Sequence, residues 1–277
     1  MPYNGSMPKM RLDLLLVERG LAESRSKAQA LVMAGQVRVD GQVELKSSAQ
    51  IPLDAQLDLE MGPRFVSRGG DKLEAALLVF PLEIGGRTCA DVGASTGGFT
   101  DCLLQHGAAR VYSIDVGKGI LHWKLRSDAR VRVMEETNAR YVKSLPEPVS
   151  LVTIDASFIS LKILLPVVKG WLASSPDPIP NRTLVPVEER SVIVLIKPQF
   201  EAGRKESARH KGVIRDPSVH RTILLDVLDF ARGLGFGVRG LLRSPVLGPK
   251  GNVEFLAWLG VGDAGQTEYA TLVDQVT

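Results

Sequence analysis

Cysteine is scarce in this 277-residue chain, which has two, Cys89 and Cys102. Two thiols cannot build a disulfide framework or a cysteine-based zinc site, so no metal is expected. Long apolar runs are missing too: none approaches the roughly 18 residues of a membrane span. The opening "MPYNGSMPKMRLD" lacks the charged-then-apolar layout of a signal peptide. These absences point to a soluble protein of the reducing cytoplasm, without a membrane partner. Aromatic residues reach 5%, hydrophobic residues 44% and charged residues 23%, which is ordinary globular composition. A formal net charge of +3 by itself says little about nucleic acid.

The distribution of charge says more. Lys197–Arg215 holds six basic residues against two acidic ones, and Arg110–Lys143 holds eight against four. Local positive patches are what a phosphate backbone needs, although a solvated basic surface has the same composition.

The pattern of residues divides the chain. After a loose leader, residues 10–60 read as two short helices and a small β unit. "RLDLLLVERGL" ends at Gly20, "ESRSKAQALVMAGQ" opens on a capping Ser24 or Ser26, and "VRVDGQVEL" turns at Asp40-Gly41, a strong hairpin signal. Residues 61–70, rich in Gly and Arg, read as a linker. A helix is expected from Asp71, with Asp71 and Glu74 as a capping-box-like start and Lys72 at its first position. Strands are expected at 88–92, 110–114, 131–134, 150–155 and 191–197, alternating with helices near 98–107, 119–126, 160–173 and 217–234. Repeated βα units give an α/β domain over 71–262 with a mostly parallel sheet. "FGVRGLLRSP" and "VEFLAWLG", joined by "LGPKGN", should close it as an antiparallel pair. That is the layout of the seven-stranded S-adenosylmethionine-dependent methyltransferases, a Rossmann-like fold. "SSPDPIPNRTLVPVEER" (174–190) reads as an exposed excursion and 263–277 as a tail.

"DVGASTGGFTD" (91–101) marks a ligand turn at the end of the first strand of the sheet. A triphosphate loop needs a lysine after its last glycine, and here Phe99 follows Gly98. A dinucleotide fingerprint needs a second glycine where Ser95 stands. S-adenosylmethionine, which has no phosphate, needs an open turn and an acid for its ribose. Asp91, Gly93, Ala94, Ser95, Gly97, Gly98 and Phe99 would supply the turn. Asp115 and Val116 follow the second strand, where an acid accepts ribose hydroxyls, and Asn138 would approach the adenine. A glycine-rich structural turn beside an ordinary acid remains the alternative.

Four charged residues stand where charge is unfavourable. Lys72 faces the wrong end of a helix dipole. Asp155 and Lys197 end apolar strands, "LVTID" and "SVIVLIK". Glu254 falls inside a strand expected to be covered. Singly, each has a simple structural explanation: a lysine snorkels and an acid caps a helix.

As a set, "SRGGDKL", "DVGASTGGFTD", "YSIDVG", "ETNARY", "TIDASFISL", "IKPQFE" and "GNVEF" resemble the TlyA-type (hemolysin A) ribosomal RNA 2′-O-methyltransferases. Their catalytic part is similar to the FtsJ/RrmJ-type RNA methyltransferases. "SRSKAQALVMAGQVRVDG" resembles the S-four-type RNA-binding domain. The resemblance covers roughly residues 10–260. It implies an S-adenosylmethionine-dependent enzyme with a catalytic Lys-Asp-Lys-Glu tetrad at Lys72, Asp155, Lys197 and Glu254, with Asp155 also at the cofactor. It implies ribosomal RNA or assembled subunits as partner, a cytidine 2′-hydroxyl being the default target. Arg11, Arg25, Lys27, Arg68, Arg204, Lys205 and Lys211 are the residues expected to touch RNA. Competing readings are a non-catalytic RNA-binding protein on the same fold, a membrane-active hemolysin, and a small-molecule or DNA methyltransferase.

Overall fold

The structure is a computed structural model and describes residues 8–60, 62–173, 190–203, 212–262 and 269–277. The excursion and part of the tail, and with them Arg204, Lys205 and Lys211, lie outside the described residues. The chain forms two compact units, Met1–Arg64 and Phe65–Thr277. The stretch 61–70 therefore holds the last residues of one unit and the first of the other.

In the first unit, strand β1 (Lys9–Arg11) leads into helices α1 (Leu12–Glu18) and α2 (Arg25–Met33). Ser24 caps α2, its hydroxyl accepting from Lys27 N at 3.2 Å. The expected hairpin joins β2 (Val37–Val39) to β3 (Gln42–Val43). Asp40 and Gly41 have φ of 48° and 81°, as a tight two-residue hairpin turn requires. The sequence patterns did not resolve two further strands, β4 (Gln50–Pro52) and β5 (Leu57–Leu59), which pair with β1 and β2. Each is three residues long, too short for an alternation to register. Leu12, Leu16, Ala28, Val32 and Val37 are fully buried at the centre of this unit.

The second unit begins earlier than expected. Helix α3 runs Gly69–Val79, with Arg68 as an N-cap whose side chain makes no capping bond. Lys72 is thus the helix's fourth residue, and Glu74 takes His106 as partner instead of closing a capping box. Glycine normally argues against a helix interior. Here it is required, because a Cβ on Gly70 would lie 2.2 Å from the Phe65 ring. After α3 come β6 (Thr88–Val92), α4 (Gly98–Gln105), β7 (Arg110–Ile114), α5 (Trp123–Arg126) and β8 (Val131–Met134). Then follow β9 (Leu151–Ile154), α6 (Leu161–Ala173), β10 (Ser191–Ile196), α7 (Pro198–Glu201), α8 (Pro217–Gly233), β11 (Phe236–Arg243), β12 (Phe255–Val261) and α9 (Tyr269–Val276). Helix α5 starts four residues later than the pattern expected. The Glu135 carboxylate and the His122 ring take the amides of Ile120 and Lys124, and the chain before Trp123 stays irregular.

The seven strands lie in the order β11-β12-β10-β9-β6-β7-β8. All neighbours are parallel except β12, which runs antiparallel to both β10 and β11. The middle of the sheet is buried on both sides, so β6, β9 and β10 are covered along their whole length, whereas the edge strand β8 is partly exposed. Ala90, Val152 and Val194 face one core cluster, which includes residues of α6 and α8. Their neighbours Cys89, Leu151 and Ile193 face the other, which includes residues of α3 and α4. Strand order reverses between β6 and β9, where the sheet opens a crevice at its carboxyl edge.

Helices α3 and α4 meet at glycine. A Cβ on Gly98 would lie 2.5 Å from Ser67 Oγ, 2.7 Å from Gly70 N and 3.0 Å from Gly69 Cα. Two of these atoms are backbone, so a side chain there must push the helix starts apart. Gly98→Ala is expected to lower unfolding free energy by about 1–3 kcal/mol. An unchanged denaturant midpoint would show that the contact is slack.

Candidate active site

A cavity of about 850 Å³ lies at the carboxyl edge of the sheet. That volume lies within the range usual for small-molecule sites. Gly93, Ala94, Ser95, Gly98 and Phe99 form part of its wall, together with Arg68 and all of Lys72, Asp155, Lys197 and Glu254.

The turn is shaped by what glycine permits. Gly93 has φ of 81°, and a Cβ there would lie 2.6 Å from the Asp155 carbonyl oxygen. The two strand ends either side of the reversal therefore approach backbone to backbone. Gly97 caps α4 with φ of 98°, and its missing side chain leaves room for Leu121 and Leu125. Ser95 holds φ of 50° without being glycine, a conformation that costs energy and clusters at ligand sites. Its amide donates to Asp115 Oδ2 at 2.8 Å, and Gly117 N donates to Oδ1 at 2.7 Å. Asp115 thus fixes the turn while following β7, the position expected for a ribose acceptor.

Asp91 needs a correction. It lies next to last in β6, but it is fully buried and does not line the cavity. Its oxygens accept from Thr100 Oγ1 at 2.7 Å and Thr153 Oγ1 at 3.0 Å. Burial pushes its carboxyl up to about 7, against the two threonine hydroxyls, which favour the charged form. Asp91 therefore braces β6, α4 and β9 behind the turn, off the cavity wall. Gly97, Asp115, Val116 and Asn138 also stand off the cavity wall; Val116 is exposed, and the Asn138 side chain accepts from Arg140 N at 3.2 Å.

The four charged residues assemble as two ion pairs. Lys72 Nζ donates to Glu254 Oε2 at 2.6 Å, across 182 positions of sequence, and both side chains are buried. Lys197 Nζ lies 2.6 Å from Asp155 Oδ1 and donates to Ser157 Oγ at 3.0 Å. The ammonium approaches Oδ1 off the line of a hydrogen bond, and no other described donor reaches that atom, so this pair is held by charge and distance. Asp155 follows β9 directly. Lys197 is the N-cap of α7, where Pro198 takes the first helical position. Glu254 stands just ahead of β12, not inside it as the apolar pattern suggested. It is accommodated by Gly248, where a Cβ would lie 2.6 Å from Glu254 Oε1.

Among the wall residues that the patterns missed are Phe158, Gln199 and Lys250. Phe158, at φ of 64° and 90% exposed, sets its ring 5.0 Å from that of Phe200. Its signal was an aromatic three positions after Asp155, in a loop whose neighbours Ala156 and Ile159 pack against the core while Phe158 does not. Gln199 has a buried Oε1 with no hydrogen-bond partner among the described residues. A polar residue beside the strand-end lysine of "IKPQF" was the clue. Lys250 adds a cation from the loop before β12, so the wall carries four cationic side chains and two carboxylates.

In the first unit, Arg11 and Arg25 converge on the buried Asp13, at 2.8 Å and 3.1 Å. The Arg11 guanidinium holds that carboxyl well below the usual range. Lys27 is exposed on the same helix as Arg25.

A parallel sheet with one reversed strand set inside its edge, and a glycine turn opening on paired lysines, define a methyltransferase of the Rossmann-like class. The model of the FtsJ-like methyltransferase family matches residues 65–261, and that of the S4 domain matches residues 10–56. The Bacillus subtilis protein YqxC, which carries an rRNA-methyltransferase name, is 46% identical over 93% of this chain and 89% of its own. The 16S/23S rRNA (cytidine-2′-O)-methyltransferase TlyA of Mycobacterium tuberculosis is 42% identical over 91% of this chain and 90% of its own. A hemolysin-named structure from Streptococcus thermophilus is 43% identical, with a TM-score of 0.65, covering 98% of this chain and 96% of its own. This chain belongs to the TlyA-type family of FtsJ-like methyltransferases.

The raised Asp91 carboxyl has a measurable consequence. An acid whose folded value exceeds its unfolded value binds a proton more tightly when folded, so stability falls as pH rises between the two. Here the window runs from the ordinary aspartate value of 3.8 to about 7. Unfolding free energy should decline across that window in the wild type and decline less in Asp91→Asn. Parallel stability curves for the two proteins would remove Asp91 as the cause.

Proposed function

We propose that this protein transfers a methyl group from S-adenosylmethionine to a ribose 2′-hydroxyl of ribosomal RNA, in the cytoplasm. A cytidine in small- or large-subunit RNA, presented by an assembled subunit, is the default target by analogy with the name of the M. tuberculosis relative. The observation that carries this reading is the meeting of Lys72–Glu254 and Lys197–Asp155 on the cavity that the glycine turn opens.

The turn fits the cofactor on its own chemistry. The positive φ at Gly93 and the bare Cα atoms bring backbone to the ligand, no lysine follows Gly98 to seek phosphate, and Asp115 stands beside the turn. When bound, S-adenosylmethionine supplies a methyl group already activated by a sulfonium. Much of the protein's task is then alignment. A ribose hydroxyl is a weak nucleophile, and Lys197 is placed to stabilise its developing alkoxide or, when neutral, to accept its proton. Asp155 and Ser157 fix the direction of the Lys197 head. Lys72, held by Glu254, adds a second cation. Phe158 offers an exposed aromatic face on the cavity wall, and base–aromatic stacking is tolerant of sequence. The cationic excess of the wall suits a polyanion.

Two alternatives lose ground. A non-catalytic RNA-binding protein has no need for two buried lysines, each matched by an acid at a ligand cavity. A membrane-active hemolysin lacks support, since among the described residues no helix is long and apolar enough to cross a membrane.

Lys197→Ala should cut methyl transfer by at least about a hundredfold while leaving S-adenosylmethionine affinity nearly unchanged, as read by isothermal titration. Wild-type turnover in that variant would refute the assignment. The substrate is tested by mapping ribose methylation, nucleotide by nucleotide, on ribosomal RNA from cells with and without the active protein.

The RNA-reading role of the first unit is best probed at Lys27. Arg25 also neutralises the buried Asp13, so charge reversal there would disturb the fold. Lys27→Glu should weaken binding to ribosomal subunits and reduce the slope of log affinity against log salt by about 1. Equal binding by both proteins at low salt would exclude Lys27 from the interface.

A further inference from the structure

Away from the cavity wall, α3 and α4 bring together three different metal-ligating side chains that the methyl-transfer reading does not use. Glu74 comes from α3. Cys102 lies on α4, and His106, four positions on, follows the end of that helix. A spacing of four sets Cys102 and His106 on one face, and Glu74 meets them from the opposing helix. One ligand atom from each lies within 4.8 Å of the other two.

We propose that Glu74, Cys102 and His106 form a binding site for a divalent transition-metal ion of the zinc type. A thiolate, an imidazole and a carboxylate are the donor set that such an ion takes, with water at the fourth position. The two cysteines of the sequence excluded a site built from cysteine alone; this one needs a single thiol.

The distances support it. Cys102 Sγ lies 3.7 Å from Glu74 Oε2. Sulfur and oxygen ligands on one tetrahedral zinc stand about 3.6 Å apart, given bonds of about 2.3 and 2.1 Å. His106 Nε2 and Glu74 Oε2 are hydrogen-bonded at 2.6 Å and must open to about 3.3 Å to share an ion. The His106 side chain is 31% exposed, which gives its ring room to draw back and gives the ion a path from solvent. On binding, the Cys102 thiol releases its proton to water, and the proton shared by Glu74 Oε2 and His106 Nε2 moves to Nδ1 or to water, so that neutral His106 offers its Nε2 lone pair. The metal replaces the Glu74–His106 hydrogen bond. One thiolate and one carboxylate then balance the two positive charges, in a place where an unbalanced charge would be costly. The bound ion would clamp α3 to α4. Lys72 stands two residues before Glu74, and Gly98 opens α4 at the cavity.

The test uses the untagged full chain, stripped of metal with a chelator and titrated with Zn²⁺ or Co²⁺ alone. One ion should bind per chain, Co²⁺ should give a near-ultraviolet thiolate-to-metal charge-transfer band, and Zn²⁺ should bleach it and raise the melting temperature. His106→Ala should weaken binding more than about tenfold. Cys102→Ala should abolish the band, and Cys89→Ala should change neither. Should Cys102→Ala fail to fold, His106→Ala decides the matter at a partly exposed position. The proposal is overturned if the folded wild type shows no saturable binding, if binding appears without the band, or if His106→Ala matches wild type.

Discussion

Two ammonium groups held at the edge of a buried sheet must each find a carboxylate, because an unmatched charge there would cost several kcal/mol. The catalytic unit is arranged around that constraint. Lys72 comes from the helix that precedes the sheet and Glu254 from the segment that leads into its last strand. They can meet only because β12 inserts between β10 and β11, reversed in direction, so that its start lies at the edge where the parallel strands end. Lys197 and Asp155 meet more simply, since they follow adjacent parallel strands, β10 and β9. The reversed strand is thus the device that brings the fourth charge to the other three.

The glycines work on the same edge by a different means. At Gly93 and Gly98 the space a side chain would fill is taken by backbone, Asp155 in one case and the start of α3 in the other. The helix bearing Lys72 and the loop bearing Asp155 are therefore located by the same glycine turn. Asp91, Thr100, Thr153 and Ser113 form a buried polar group behind it. Turn and ion pairs are in this sense one construction, and motion of the turn would be felt at both pairs.

Much of this was legible beforehand. The five parallel strands were read to within a residue at each end, because all are flanked by turn residues and the inner four, β6, β7, β9 and β10, are buried on both faces. At the glycine turn Phe99 spoke against a triphosphate and Ser95 against a dinucleotide, while Asp115 and the closing antiparallel pair favoured S-adenosylmethionine, the cofactor proposed above. The readings that failed share a cause. Gly69 and Gly70 were placed outside a helix on intrinsic preference, but close packing against Phe65 and Gly98 prevailed. Glu254 was set inside a strand because its neighbours are apolar, and it stands one residue before it. Asp91 was set at the ligand turn because it ends a strand, and its side chain turns into the core instead of onto the cavity wall. Sequence periodicity says which face a residue occupies and not which atom it meets.

The sequence by itself determined the two units, the alternation of strand and helix, and the types of chemical group at the strand ends, since these follow from local pattern and turn chemistry. Tertiary structure decided which groups face each other: Lys72 with Glu254, Asp91 with two threonines, and Glu74 with Cys102 and His106. Each such contact joins distant parts of the chain, across nine residues at the shortest and 182 at the longest. Local preferences do not act over such distances. Strand order and helix packing do, and they are fixed only when the whole sheet closes its core.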